Sequence, residues 1–426
     1  MRQILWDPTK KNRAAPSRQL LAWALSTVAA CVALPAIAAM PDTPPSAPTH
    51  AGTAQMQVHR DWQFADDGVT FSNRMEGARL NDVTRISAGH YQITIKPETL
   101  PINPSPWYGF SISSTHDQQV CVDFRYEHGK PRYWPNLSTD GHHWQRATEA
   151  QFTDAADGDK QLCAKVGTTP LRVFAQNPVS LDDFAQWEAQ LRNRVPLHEQ
   201  VIGQSVQGRP LRMFTFGNPE AKRAVLIIGR QHPPETTGSG ALIGFVDQLS
   251  SDAPLARRFR QDTFIILVPV LNPDGVVEGH WRGNADGKDI NRDWGTFTEP
   301  ETRAVRDALG HELHDAGRDL AFAIDFHSTW HDVFYTVDED PSRAPGGVLR
   351  RWMDSMYAKY PGRIHEKANA AKSTVFKNWT FTQFHAPAVT YEVGDRTSAQ
   401  DLGELAHFAA DSLMQLLSPA TQPQGQ

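Results

Sequence analysis

Hydrophobic and polar positions follow two different periods along this chain. Between Gln57 and Val179, short runs such as HYQITIKP, WYGFSISS and CVDFRYEHG alternate apolar with polar residues and are broken by turn signals. That is the signature of half-buried strands in an all-β sandwich, expected here over residues 56–179. From Leu181 onward the pattern changes. Solid apolar runs, Ala224 to Gly229 (AVLIIG) and Leu320 to Phe326 (LAFAIDF), read as buried strands. Asp182 to Leu191, the stretch beginning at Thr236 (TTGSGALIGFVDQL), and Ser398 to Leu417 read as helices, so the second region, 180–418, is α/β. GQSVQGRPLRMFTFG reads as a hairpin turning at Gln207 and Gly208. The aromatics Trp107, Tyr108, Tyr133, Trp134 and Trp144 are expected in the sandwich core, and the polar tail 419–426 is expected to be disordered.

The N-terminal end adds an address to this architecture. Arg2, Lys10, Lys11, Arg13 and Arg18 precede an apolar stretch from Leu20 to Ala39, and Ala36-Ile37-Ala38 offers a small-residue cleavage site. Residues 1–38 therefore read as a secretory signal peptide and 39–55 as a Pro-rich linker. Pro35 and the linker weigh against a retained anchor, so no transmembrane helix is expected in the mature form, which would be periplasmic or secreted. Val28-Ala29-Ala30-Cys31 offers an alternative, a lipid anchor on Cys31. Removing residues 1–38 takes five bases and one acid from a chain of net charge −6 and leaves −10. An acidic chain with dispersed bases excludes nucleic acid as a partner, because a phosphate backbone demands a basic surface. Cys121 and Cys163 remain, each in a strand-like run; in an exported protein they either pair or stay buried as thiols, and sequence alone leaves both open.

The chemistry concentrates in four short blocks. His232-Pro-Pro-Glu235 sits where a strand passes into a helix, and His327 arrives 92 positions after Glu235 at the end of the second apolar run. Two imidazoles and one carboxylate form the ligand set of an open zinc site, which keeps a fourth position for water or a substrate oxygen. Leu271 to Trp294 (LNPDGVVEGHWRGNADGKDINRDW) and Ala388 to Asp395 (AVTYEVGD) add two arginines and another carboxylate.

Taken in this order, HPPE, NPDG with a downstream NR, DFH and TYE, the blocks resemble the M14 zinc carboxypeptidases from about Leu181 to Leu417. The resemblance implies an α/β/α sandwich on a mixed sheet, one Zn2+ per chain on His232, Glu235 and His327, and Glu392 as general base. It implies Arg282 as the donor to the oxyanion, and Asn291 with Arg292 as the anchor for a terminal carboxylate, which makes the substrate a peptide or protein C-terminus. The residue 15 positions before the general base lies at the pocket floor in that family; here it is Lys377, and a cation there favours a C-terminal Glu or Asp. The alternative for Lys377 is a solvent-facing side chain. Trp379 supports the register. At the position of the family's substrate-side tyrosine stands Ala370, with Tyr360 and Tyr391 the nearest tyrosines. The pieces GARL, WYGFSI and WQRA resemble the β-domain that precedes the catalytic domain in the cytosolic-carboxypeptidase-like branch. Two other functions stay open: a zinc amidase acting on cell-wall peptides, and a zinc-binding recognition module without turnover.

Overall fold

The computed structural model describes residues 54–155 and 159–418; the segment expected to be a signal peptide (1–38) with Cys31, the expected linker up to residue 53 and the 419–426 tail lie outside them. Residues 61–174 build two sheets. One has the strand order Asp61–Phe64, Val69–Ser72, Gly109–Ser114, Leu171–Phe174, Asn136–Ser138, Gln145–Arg146. The other runs Asp82–Ser87, His90–Ile95, Gln118–Tyr126, Lys160–Val166, Phe152–Asp154. Every neighbouring pair is antiparallel except His90–Ile95 with Gln118–Tyr126. Alternation in HYQITI turns Tyr91, Ile93 and Ile95 inward, where they meet Phe71, Phe110 and Val173 of the other sheet. Trp107, Tyr108 and Tyr133 are buried in this core, with Trp134 and Trp144 packed against it. Cys121 and Cys163 face each other in register on adjacent strands and form a disulfide.

The second region is an eight-stranded mixed sheet: β1 (His198–Gln204), β2 (Pro210–Gly217), β3 (Arg223–Gly229), β4 (Thr263–Val268), β5 (Asp319–Thr329), β6 (Val333–Val337), β7 (His365–Asn369) and β8 (Ala388–Gly394), ordered β1-β2-β4-β3-β5-β8-β6-β7. The central strands β4, β3, β5 and β8 are parallel, which explains their near-continuous apolar character. Each face of β3 has its own core. Val225 and Ile227 pack with helices α1 (Leu181–Arg192), α2 (Thr236–Leu249), α3 (Pro254–Gln261), α6 (Val348–Lys359) and α8 (Ala399–Leu417). Ala224, Leu226 and Ile228 pack on the other side with α5 (Pro300–Leu309) and Phe376 of α7 (Phe376–Phe384); α4 (Pro273–Glu278) follows β4. The result is an α/β/α sandwich. Among the described residues no helix is long and apolar enough to cross a membrane.

Local rules set the helix ends. Ser180 and Asp183 form a reciprocal capping box at the start of α1, and the Ser398 side chain accepts from Asp401 N at the start of α8. β5 runs two residues beyond His327, further than the apolar run implies, because β8 pairs it through Thr329. The N-terminal turn of α2 lies hard against β5: a Cβ at Gly238 would fall 2.5 Å from His327 O and 2.7 Å from its carbonyl carbon. Backbone cannot swing aside as a side chain can, so Gly238→Ala must push α2 off the strand. Overpacking of this kind costs about 2 kcal/mol. We expect that loss in chemical denaturation of the variant; unchanged stability would show slack between α2 and β5.

Candidate functional site

Three parallel strands end at one place, and each delivers a functional group there, as open α/β sheets do at their carboxyl edges. After β3 the chain turns through Arg230, whose φ of 52° lies in the left-handed region that non-glycine residues rarely occupy. The buried guanidinium braces this turn: Nε donates to Pro233 O at 3.0 Å and Nη1 to Ser239 Oγ at 2.8 Å. The turn presents His232, and Glu235 follows at the N-cap of α2. Its carboxylate makes no capping bond; it points to the two histidines instead.

Glu235 Oε1 lies 2.9 Å from His232 Nδ1 and Oε2 2.7 Å from His327 Nδ1, while the two Nδ1 atoms are 3.1 Å apart. The far side of each ring is also held: His232 Nε2 donates to Asp289 Oδ1 at 3.0 Å, and His327 Nε2 to Asp325 Oδ2 at 2.8 Å. An ionised carboxylate only accepts, so the outer carboxylates hold a proton on each Nε2, and a cation that displaces the protons facing Glu235 would meet two Nδ1 lone pairs. Two imidazole nitrogens and a carboxylate thus converge, with one ligand atom from each residue within 4.8 Å of the others. All three residues are buried. Burial alone would raise the Glu235 carboxyl, but the two imidazoles hold it well below the carboxylate range. Burial would likewise lower His327, yet Asp325 and Glu235 hold it well above. Acceptors so arranged call for a cation, and an N₂O set with carboxylates behind both rings fits zinc.

Glu392 stands directly beside His327 in the parallel register of β5 and β8, so its side chain leaves the same face of the sheet. Its Oε2 is shielded from solvent and has no hydrogen-bond partner among the described residues. Burial, reinforced by the Glu235 charge, pushes its carboxyl up to about 7. Arg282 approaches from the loop after α4; its Nε donates to Asp289 Oδ2 at 2.6 Å, so Asp289 orients both this arginine and His232. Burial would lower Arg282, but Asp289, Glu235 and Glu392 keep it charged. Asn291 Nδ2 lies 3.2 Å from His327 Nε2, and its Oδ1 accepts from Phe376 N at 3.0 Å. Arg292 is half-buried, with Nη1 donating to Asn291 O at 2.8 Å and lying 3.9 Å from Asp289 Oδ2.

Lys377 is not solvent-facing. It is 4% exposed, and its Nζ donates to Thr336 O at 3.0 Å and Asn378 Oδ1 at 2.8 Å. Burial brings its pKa down to about 8. Trp379 stacks on Trp294, two positions beyond Arg292. Ala370 sits in the loop after β7, Tyr360 packs edge-on against Phe408, and Tyr391 stacks on Phe334. Tyr335, pairing with Thr390 on β6, is the tyrosine whose hydroxyl feels the Glu392 charge. Sequence reading passed over it because the contact crosses between strands. It also passed over Asp289 and Asp325, although a signal existed: a strand residue two before His327 shares its face.

Fold and site together define a class: an open His₂Glu metal centre at the edge of a mixed α/β sheet. The family model described as zinc carboxypeptidase matches residues 184–400, about half of the chain. The chain belongs to that family. Mouse cytosolic carboxypeptidase 6 is 27% identical over 286 residues, covering 61% of this chain and 53% of that protein. An uncharacterised protein of Zymomonas mobilis is 26% identical over 307 residues, 67% of this chain and 78% of its own. The chain thus spans about half the length of the cytosolic carboxypeptidase. In fold it is similar to a metallo-carboxypeptidase of Burkholderia cenocepacia, with TM-score 0.69, 20% identity, and 82% of this chain and 99% of that one covered. It is similar too to a metallo-carboxypeptidase of Pseudomonas aeruginosa, with TM-score 0.68, 20% identity, and coverage of 82% and 98%.

Removing the carboxylate behind a ligand histidine lowers metal affinity by roughly 10- to 100-fold. Asp325→Asn is expected to do so in competition with a chromophoric chelator, with Asp319→Asn at the exposed start of β5 as the unaffected control. Equal affinities in both variants would remove Asp325 from the support of the centre.

Proposed function

We propose that this protein is a zinc metallocarboxypeptidase that hydrolyses the C-terminal peptide bond of peptides or proteins. The observation that carries the reading is the converging His232, Glu235 and His327 set, with the unpartnered Oε2 of Glu392 on the strand beside it. Zinc held by His232, Glu235 and His327 would supply Lewis-acid polarisation of a carbonyl and lower the pKa of water. Glu392 takes the proton from the attacking water and returns it to the leaving amine, work suited to a carboxylate poised near neutrality. Arg282, pre-set by Asp289, donates to the oxygen on which charge develops, a contact worth about 3 kcal/mol in the transition state. Arg292, ordered by Asn291, offers a planar fork to the substrate's terminal carboxylate and limits cleavage to chain ends.

A preference for acidic C-terminal residues rests on Lys377. It is a buried cation whose two hydrogen-bond acceptors are neutral oxygens, on the helix whose first amide is held by Asn291. A carboxylate reaching it would gain a charge-assisted bond in a desolvated place. Export is part of the same proposal: the basic and apolar N-terminal pattern is joined by the Cys121 to Cys163 disulfide, a bond that persists in oxidising compartments.

The test is mass-spectrometric detection of residues released from peptides that differ only at the C-terminus. Stepwise release is expected with zinc, none with chelator, and Glu392→Gln should fall at least about 100-fold. Lys377→Met is expected to reduce the preference for Glu over a neutral residue by roughly tenfold or more, the worth of one hydrogen bond to a charge. Release indifferent to Glu392→Gln would remove the general base, and cleavage of cell-wall fragments alone would replace the peptide substrate. For export, thiol counting on protein isolated from its host should find none among Cys121 and Cys163, on a chain beginning near Ala39. Two free thiols on a chain retaining Met1 would overturn it.

A further inference from the structure

We infer that Glu98, a residue of the β-sandwich, is a positioning residue for Arg282; the inference rests on the role proposed for that arginine. Three successive backbone N–H groups of the loop that carries Arg282 donate to this one carboxylate. Trp281 N reaches Oε2 at 2.7 Å, and Arg282 N and Gly283 N reach Oε1 at 2.9 and 2.7 Å. Successive N–H groups turned to one point make an anion-binding concavity. Here the anion is a side chain from 183 to 185 positions away, wholly buried. Loop amides need partners. Between α4 and Ile290 no strand supplies them, so the sandwich does.

The rest of the loop is stitched to the same layer. The Trp281 indole is buried in the sandwich core and its Nε1 donates to Trp107 O at 3.0 Å. Gly77 N donates to Val277 O at 2.9 Å, and Gln57 Nε2 to Glu278 O at 2.9 Å. At Gly279, with φ of 61°, a Cβ would lie 2.7 Å from Gly77 O and 2.6 Å from Ala78 O, so the chain enters the loop at a point where only glycine fits. The Glu98 charge is itself supported: burial would raise its carboxyl, but His280, Arg79 and the N–H groups of Gly283 and Trp281 hold it down. Arg282 is therefore fixed at both ends, its backbone by Glu98 and its guanidinium by Asp289. A donor displaced by about 1 Å loses on the order of a hundredfold in rate, so the second anchor acts on turnover, not only on stability.

A staple between layers would also cost stability when cut, and a double-mutant cycle separates the two roles. Kinetics of Glu98→Gln, Arg282→Ala and the double variant are measured on the zinc-loaded full chain with a released peptide. The expected result is a kcat about 10- to 100-fold lower for Glu98→Gln with zinc content unchanged, and no further loss when it is added to Arg282→Ala. Equal losses in both backgrounds, or loss of zinc, would overturn the positioning role while leaving the carboxypeptidase reading intact. A wild-type chain inactive on every peptide would overturn both. If Glu98→Gln does not fold, hydrogen exchange of the wild-type amides of Trp281, Arg282 and Gly283 decides: strong protection supports the anchor, and exchange at open-loop rates overturns it.

Discussion

The structure depends most on placing three ligand groups, the Nδ1 atoms of His232 and His327 and the carboxylate of Glu235, around one buried point. Burial of such polar groups is costly, and their mutual attraction offsets it: opposite unit charges 4 Å apart gain about 4 kcal/mol at an effective dielectric of 20. The fold answers by fixing the outer side of each ring. Asp289 and Asp325 hold the two Nε2 protons, so neither imidazole can turn its Nδ1 away from the centre. The left-handed Arg230 and the contact of Gly238 with His327 belong to the same demand, since the turn after β3 and the first turn of α2 must come close to β5 for the ligands to meet.

Around that point, identical chemical groups do different work because their neighbours differ. Glu235 and Glu392 are both carboxylates facing the centre, yet the first is held far down by two imidazoles and the second is raised to about 7. Asp289 is held down by Arg282 and His232 against its own burial. Pairs of acids whose environments push them apart are how one site separates a permanent anion from a proton carrier. The geometry keeps them apart too: Glu235 spends both oxygens on the histidines, whereas Glu392 keeps one free.

The β-sandwich enters this scheme as structure, not as an appendage. Trp281 roots the Arg282 loop in its core, and Arg132 reaches from it to Asp395, one residue past the end of β8, with Nε 2.9 Å from Oδ2. Both ties act on segments flanking the metal centre, so the layer that holds no ligand still governs where charged groups around the ligands stand.

Much of this was legible in the chain. The change of period near residue 180 separated sandwich from α/β region, and HPPE with a distant His327 announced an open metal site, because ligand type and strand-to-helix context are local properties. Glu392, Arg282, Asn291 and Arg292 were singled out only through resemblance of ordered blocks, since single residues of these types say little alone. Tyr335, Glu98 and the role of Asp289 were not legible, and that of Asp325 was legible only through its place two residues before His327 on the same strand face. Sequence by itself determined the kinds of element, the ligand set and the turn that presents it, all set by neighbours a few positions apart. Only the tertiary structure decided which ring nitrogens face inward, which carboxylate is raised, that Cys121 meets Cys163, and that a sandwich glutamate holds the loop of Arg282. Those depend on contacts across tens to hundreds of positions, and on a burial that no local pattern encodes.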